Sequence, residues 1–171
     1  FGANSVELDV VMSADKVPVV MHDYWLDRTT DCVGDLRDMD WGTISNCRVG
    51  NLFGVPRLDE LLPKLLGYRK VFVEIKTEDD QAEEAAMAIG SLVKQLVAYD
   101  QVIVTSFNLR ILYELKMRFP EPRIHIGFDG VDASVPLATL NMGFDDMLMR
   151  YTDIERCVFS TAQQLNAKLI T

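Results

Sequence analysis

Val71-Phe72-Val73-Glu74-Ile75-Lys76 and Val102-Ile103-Val104-Thr105-Ser106 are short apolar runs with a stretch of helical character between them. Residues 79–98 place Ala82, Ala85, Ala86, Ile89, Val93 and Leu96 on one face, behind an acidic first turn. Residues 108–119 repeat the pattern with Leu112, Leu115 and Phe119, and Pro120 stops it. The runs themselves are continuous rather than alternating, which suits parallel strands buried on both faces. The rhythm extends in both directions: further strands are predicted at 6–12, 17–22, 123–128, 146–150 and 167–171. Thr152 with Glu155 reads as a capping box that opens a helix to about Asn166. Strands alternating with helices imply an α/β protein whose parallel sheet is covered by helices. Two architectures satisfy this, a doubly wound open sheet and a (β/α)8 barrel. The sequence has no GxGxxG and no GxxxxGK[ST], the usual marks of a nucleotide-binding open sheet. Residues 23–57 break the rhythm with a longer stretch rich in Asp and Gly. Long loops in compact domains usually carry function, and in a barrel this one would lie over the mouth.

Composition narrows the function classes. The 171 residues carry 17 Lys+Arg against 26 Asp+Glu, a formal charge of −9, with 49% hydrophobic residues. That is enough chain for one domain with a substantial core. The acidic balance argues against nonspecific nucleic-acid binding and against attraction to an anionic membrane surface. No apolar run approaches the ~20 residues a membrane span needs. Cys32, Cys47 and Cys157 are few and widely spaced, which favours packing in a reducing compartment over a disulfide framework. A cytoplasmic setting is therefore expected rather than secretion, although Phe1 does not look like a native start and leaves a signal peptide unjudged.

The chemistry-bearing residues sit at strand ends. Glu7 and Asp9, two apart in Val6-Glu7-Leu8-Asp9-Val10, point the same way because strand side chains alternate. A solvated strand face would explain such a pair, but the apolar neighbours indicate burial, which is costly for carboxylates without partners. A metal ion would hold them, and oxygen donors favour Mg²⁺, Ca²⁺ or Mn²⁺ over zinc. Glu74 and Lys76 repeat the spacing at the end of another strand, either as a simple salt bridge or as groups serving metal and phosphate. His22 ends the Val17–Met21 run and precedes Asp23. Active sites of (β/α)8 barrels gather where strands end, which favours a catalytic over a structural role for it. His125, inside Arg123-Ile124-His125-Ile126, reads as a core or rim histidine. Ser106 lacks the Gly-x-Ser-x-Gly elbow of a nucleophile, and Phe107 beside it reads as packing or as an apolar pocket wall.

Four segments in order, VELDVVMSADKVPVVMHDYWLDRTTDCVGDLRDM (6–39), VPRLDELL (55–62), VFVEIK (71–76) and VTSF (104–107), resemble the glycerophosphodiester phosphodiesterase family. The resemblance covers most of the chain and becomes diffuse after about residue 110. It implies a (β/α)8 barrel that uses a divalent metal to hydrolyse a small-molecule glycerophosphodiester to glycerol 3-phosphate and an alcohol. By motif it assigns Glu7, Asp9 and Glu74 to the metal, Mg²⁺ or Ca²⁺ with Mn²⁺ as a third option. It makes His22 one of two acid–base histidines and puts Lys76 near the phosphate. Arg28, Thr29 and Thr30 would shape the loop, and Asp23 would orient His22 or the loop. The family's opening His-Arg-Gly segment has no counterpart here, so the second histidine is expected upstream of Phe1. The reading is of a single catalytic barrel domain over 1–171, strands two to seven, lacking its first and last βα pieces and carrying an insertion at about 23–57. Rival readings are a lysophospholipase D or phospholipase C-like lipid phosphodiesterase and, from another class, a non-catalytic binding barrel or inactive fragment.

Overall fold

The computed structural model describes residues 2–120 together with strands at 125–129, 146–148 and 168–170. One sheet organises the chain. β1 (Ser5–Met12) pairs in parallel with β5 (Lys70–Ile75), which pairs with β6 (Val102–Ser106). The series continues in parallel through β7 (His125–Asp129), β8 (Asp146–Leu148) and β9 (Lys168–Ile170). Among the described parallel strands, spatial order therefore follows chain order, without the reversal that marks a doubly wound sheet. The expected helix at 152–166 and the side chain of His125 lie outside the described residues.

Alternation along the strands divides the sheet into two chemically different faces. Leu8, Val10 and Met12 of β1, Val71, Val73 and Ile75 of β5, and Val102 and Val104 of β6 face one way. They are covered by α2 (Leu58–Leu65), α3 (Ala82–Gln95) and α4 (Leu109–Arg118). Each fully buried Leu or Ile here contributes about 1.5–3 kcal/mol relative to exposure. Small residues let α3 approach closely. A Cβ at Gly90 would stand 2.3 Å from the Phe119 ring, which lies directly on that glycine at the end of α4. Asn108 caps α4 by accepting from Arg110 N at 2.9 Å. The expected helix at 79–98 is shorter, because Asp79–Gln81 forms a 3-10 turn before α3 begins. The sequence pattern does not predict α2, since Pro63 sits within it and its eight residues are too few for a clear period.

The run at 17–22 departs from expectation. β2 spans only Pro18–Val20 and pairs antiparallel with β1, Val10 opposite Val20. It is the return arm of a hairpin and not a strand of the parallel series. The turn is built by Ser13: its N–H donates to Val17 O at 3.0 Å, and its Oγ accepts from Val17 N at 2.9 Å. Lys16 takes the left-handed conformation at φ 66 that closes this turn. A two-sided apolar run looks the same in sequence whether its partner runs parallel or antiparallel.

Residues 23–57 form an ordered insert with a core of its own. Leu26, Leu36, Ile44, Cys47 and Val55 bury together against Val11, Val19 and Met21 of the hairpin. Asp35 caps one 3-10 turn, and Asp40 caps the short helix α1 (Trp41–Ile44) by accepting from Thr43 N at 2.7 Å. β3 (Arg48–Val49) and β4 (Phe53–Gly54) add a small antiparallel hairpin. Cys32 and Cys47 are joined by a disulfide across a separation of 15 residues, which corrects the expectation of unpaired thiols. The spacing hid the bond because the insert's fold, not the local sequence, brings the two sulfurs together. The cysteines consequently no longer argue for a reducing compartment. Among the described residues no helix is long and apolar enough to cross a membrane.

Closing a loop of this size is worth about 3 kcal/mol on chain-entropy grounds. Reduction, or Cys47→Ser, is therefore expected to lower unfolding stability by about 2–4 kcal/mol in denaturant titration. Proteolytic nicking should then begin within 23–57. Equal stability with and without reductant would contradict this assignment.

Candidate functional site

The face of the sheet opposite the helices carries the acids. Glu7 and Asp9 of β1 share it with Phe72 and Glu74 of β5, and the parallel register sets Asp9 beside Glu74. One carboxylate oxygen from each of Glu7, Asp9 and Glu74 lies within 4.8 Å of the other two. Lys76, just beyond β5, extends the row: its backbone N–H donates to Val10 O at 2.9 Å. Its Nζ stands 2.9 Å from Asp9 Oδ1 and 3.8 Å from Glu74 Oε1. Burial works against this ammonium, but the hydrogen bond to Asp9 and the charges of Glu74, Asp9 and Glu7 outweigh it, so its pKa lies above the ordinary lysine value. Among these four side chains, three carboxylates stand against one ammonium. A small pocket of oxygen donors with that balance suits a divalent hard cation.

The expected burial of the acids holds in part. Asp9 and Glu74 are half-buried, while Glu7 is exposed. The salt bridge anticipated between Glu74 and Lys76 exists, yet the closer partner of Lys76 is Asp9 on the neighbouring strand.

His22 arrives by a route that its sequence did not disclose. Because β2 runs back along β1, Met21 N–H donates to Asp9 O at 3.0 Å. The next residue, His22, is thus returned to the level of the acids. It lines a cleft of about 390 Å³ together with Glu7, Asp9, Arg28 and Thr29. On the other side of the row a smaller hollow, about 260 Å³, is lined by Glu74, Lys76, Tyr24, Thr77, Phe107 and Asn108. The hollow opens at the carboxyl ends of β5 and β6, the cleft flanks β1 at Glu7 and Asp9, and the paired Asp9 and Glu74 join the two, so the acids, Lys76 and His22 border one rim. Ser106 is excluded as a nucleophile by its bonds: buried, it donates to Ile75 O at 2.7 Å and accepts from Asn108 N at 3.0 Å. Phe107 is exposed and forms part of the hollow's wall.

Two residues gain weight beyond their sequence reading. Asp23 Oδ1 is 2.6 Å from His22 Nδ1, and its Oδ2 accepts from Arg28 Nε. The Arg28 guanidinium, followed by the His22 ring, holds the Asp23 carboxyl well below the usual carboxylate range. The adjacency of His and Asp, with Arg five positions on, was the available signal. Only the 3-10 turn at Leu26–Arg28 folds the arginine back onto the aspartate.

The model of the glycerophosphoryl diester phosphodiesterase family matches residues 1–169. The chain belongs to this family. It is 34% identical over 125 residues to glycerophosphodiester phosphodiesterase 1 of Mus musculus, covering 67% of this chain and 37% of that protein. The chain thus spans little more than a third of that relative's length. Among solved structures it superposes on a glycerophosphodiester phosphodiesterase from Agrobacterium tumefaciens str. C58 with a TM-score of 0.79 at 26% identity. That match covers 98% of this chain and 73% of the other. A phosphodiesterase from Oleispira antarctica, solved in complex with the product sn-glycerol-3-phosphate, gives a TM-score of 0.86 at 23% identity. It covers 98% of this chain and 72% of that one, and shares its fold. The mixed α/β architecture with a mainly parallel sheet is therefore that of family members.

Proposed function

We propose that this chain carries the metal-binding and acid–base core of a phosphodiesterase that hydrolyses glycerophosphodiesters to glycerol 3-phosphate and an alcohol. The observation that carries the reading is the convergence of Glu7, Asp9, Glu74, Lys76 and His22 at one rim. Family membership and the printed product of the Oleispira antarctica relative support it. In the whole protein the singly wound sheet closes into a (β/α)8 barrel around this rim, with residues 1–171 part of one catalytic domain and 23–57 its insert. The monotonic order of the described parallel strands supports closure.

Glu7, Asp9 and Glu74 would hold a divalent cation, Mg²⁺, Ca²⁺ or Mn²⁺. Such an ion, when bound, supplies Lewis-acid stabilisation of the charge on the nonbridging phosphate oxygens. Lys76 adds a fixed positive charge beside them and is kept charged by the same acids. His22 moves a proton at Nε2, because Nδ1 is engaged by Asp23. A second acid–base group would exchange the other proton. One of the pair deprotonates the attacking hydroxyl, the substrate's own glycerol hydroxyl, and the other protonates the departing alkoxide. Water then opens the resulting cyclic phosphate. The insert, packed on β1 through Val11, closes one side of the cleft.

A lipid-bearing diester is a second reading, favoured by the insert's surface. Leu52 and Phe53 beside the β3–β4 turn are 77% and 72% exposed, and Trp25 and Val33 are exposed as well. A substrate panel separates the two. The full-length protein, supplied with Mg²⁺, is expected to release glycerol 3-phosphate from glycerophosphocholine, glycerophosphoethanolamine or glycerophosphoinositol, read by coupled oxidation of the product. Turnover of lysophosphatidylcholine to lysophosphatidate, with none of the soluble diesters cleaved, would overturn the first reading in favour of the second.

A further inference from the structure

The His22 ring is 64% exposed, so packing does little to fix it. A general acid–base group must nevertheless present one particular nitrogen in one direction. The ring's recorded polar partner is Asp23, at 2.6 Å from Nδ1. Asp23 in turn is gripped by Arg28 Nε through its other oxygen. Arg28 closes the 3-10 turn Leu26–Arg28, whose Leu26 is fully buried in the insert core. The insert core is itself seated on β1 through Val11 and tied by the Cys32–Cys47 disulfide. An unbroken series of contacts therefore runs from the buried core, through Arg28 and Asp23, to an imidazole that would otherwise turn freely.

We infer that Asp23, locked by Arg28, is the positioning residue that holds His22 in the Nδ1–H tautomer and leaves the Nε2 lone pair to take up the proton. The inference rests on the reading of His22 as an acid–base group and assigns what governs it. A carboxylate held ionised by a guanidinium has no proton to give and can only accept, so Nδ1 must be the donor. The neutral ring then carries its lone pair on Nε2. When Nε2 takes a proton from a hydroxyl oxygen, that O–H bond breaks, an N–H bond forms, and the ring becomes imidazolium. Asp23 stabilises that cation, and Nε2 returns the proton when the cycle closes. Asp23 never has to accept the proton itself.

The test is Asp23→Ala, read by ¹⁵N NMR of the histidine ring at about pH 8, where imidazoles are largely neutral, and by steady-state kinetics of the full-length protein. In the unaltered protein the His22 ring is expected to show a protonated Nδ1 and an unprotonated Nε2. In Asp23→Ala that tautomer should lose its dominance. There kcat should fall by about 10–100-fold with KM changed less than about threefold, and the thermal midpoint should hold. Arg28→Gln should lower kcat in the same direction by a smaller factor. An Nε2–H tautomer in the unaltered protein, or an unchanged tautomer or kcat in Asp23→Ala, would overturn the inference. A raised KM at unchanged kcat in Arg28→Gln would also do so, by moving the arginine onto the substrate. If His22→Ala itself kept full turnover, the functional reading would fail instead, a result the NMR signature alone cannot produce.

Discussion

His22→Ala in the full-length protein is expected to lower kcat toward glycerophosphodiesters by about 10³-fold, within the range that positioned acid–base groups supply. Cation binding should survive the change, because the three carboxylates on β1 and β5 do not depend on the imidazole for their positions. Fold stability should survive as well, since the ring is exposed and leaves no cavity when removed. The two readouts together separate a catalytic histidine from a metal ligand. Calorimetric titration with Mg²⁺ and a glycerol 3-phosphate assay on the same preparation check them. Turnover within a few-fold of the unaltered protein would remove His22 from the mechanism.

Asp9→Asn is expected to have the second large effect, on metal affinity. Asp9 sits between the other two acids: Glu7 precedes it on the same face of β1, and Glu74 stands beside it on β5. Removing its charge also takes from Lys76 its nearest partner, at 2.9 Å. Cation affinity should fall at least about 100-fold, more than the loss usually seen when only a supporting hydrogen bond is removed. Without added cation the variant should be about as stable as the parent, because relief of repulsion among the acids offsets the lost bond to Lys76. With cation the parent should gain stability by mass action, about 2.7 kcal/mol at a concentration one hundred times Kd. The variant should not gain it. Thermal unfolding with and without Mg²⁺ or Ca²⁺ reads this without any assay of turnover. An equal cation-induced rise in Tm for both proteins would place the ion elsewhere.

Much of this arrangement was legible in the sequence where a single period carries the information. The run at 102–106 is buried on both faces and the helical face from Ala82 to Val93 is buried, as their patterns require, whereas the run at 71–75 is fully buried only on its helix side, with Phe72 and Glu74 half-buried on the other. The spacing of Glu7 with Asp9 and of Glu74 with Lys76 likewise sets each pair on one face, because a strand alternates whatever its partners are. What spacing could not convey is register and direction. That Asp9 stands next to Glu74 depends on how β1 slides against β5, and that slide is decided by the whole sheet. His22 follows an apolar run, but that run is a short antiparallel return arm and not a strand of the parallel series. The histidine reaches the acids because β2 folds back on β1, and nothing in Val17–Met21 distinguishes a return arm from a parallel strand.

The insert was the least legible part. Its acids and glycines read as a loop, whereas Asp35 and Asp40 act as caps and Gly34 and Gly50 take positive φ at turns. Its apolar residues are too scattered for either period, because they converge from 3-10 turns, a short helix and a hairpin. The Cys32–Cys47 bond belongs to the same convergence. So does the Arg28–Asp23 contact, which links the insert's fold to His22 through Asp23.

A divalent cation held by Glu7, Asp9 and Glu74 would lie in the cleft that His22 lines. Titration with Mn²⁺, followed by NMR of the His22 ring, tests this placement most directly, because a paramagnetic ion broadens the nuclei nearest to it. Sub-stoichiometric Mn²⁺ is expected to broaden the His22 resonances, excess Mg²⁺ to reverse the effect, and Glu74→Gln to abolish it. His22 resonances that stay sharp while Mn²⁺ binds, or broadening that persists unchanged in Glu74→Gln, would contradict this placement.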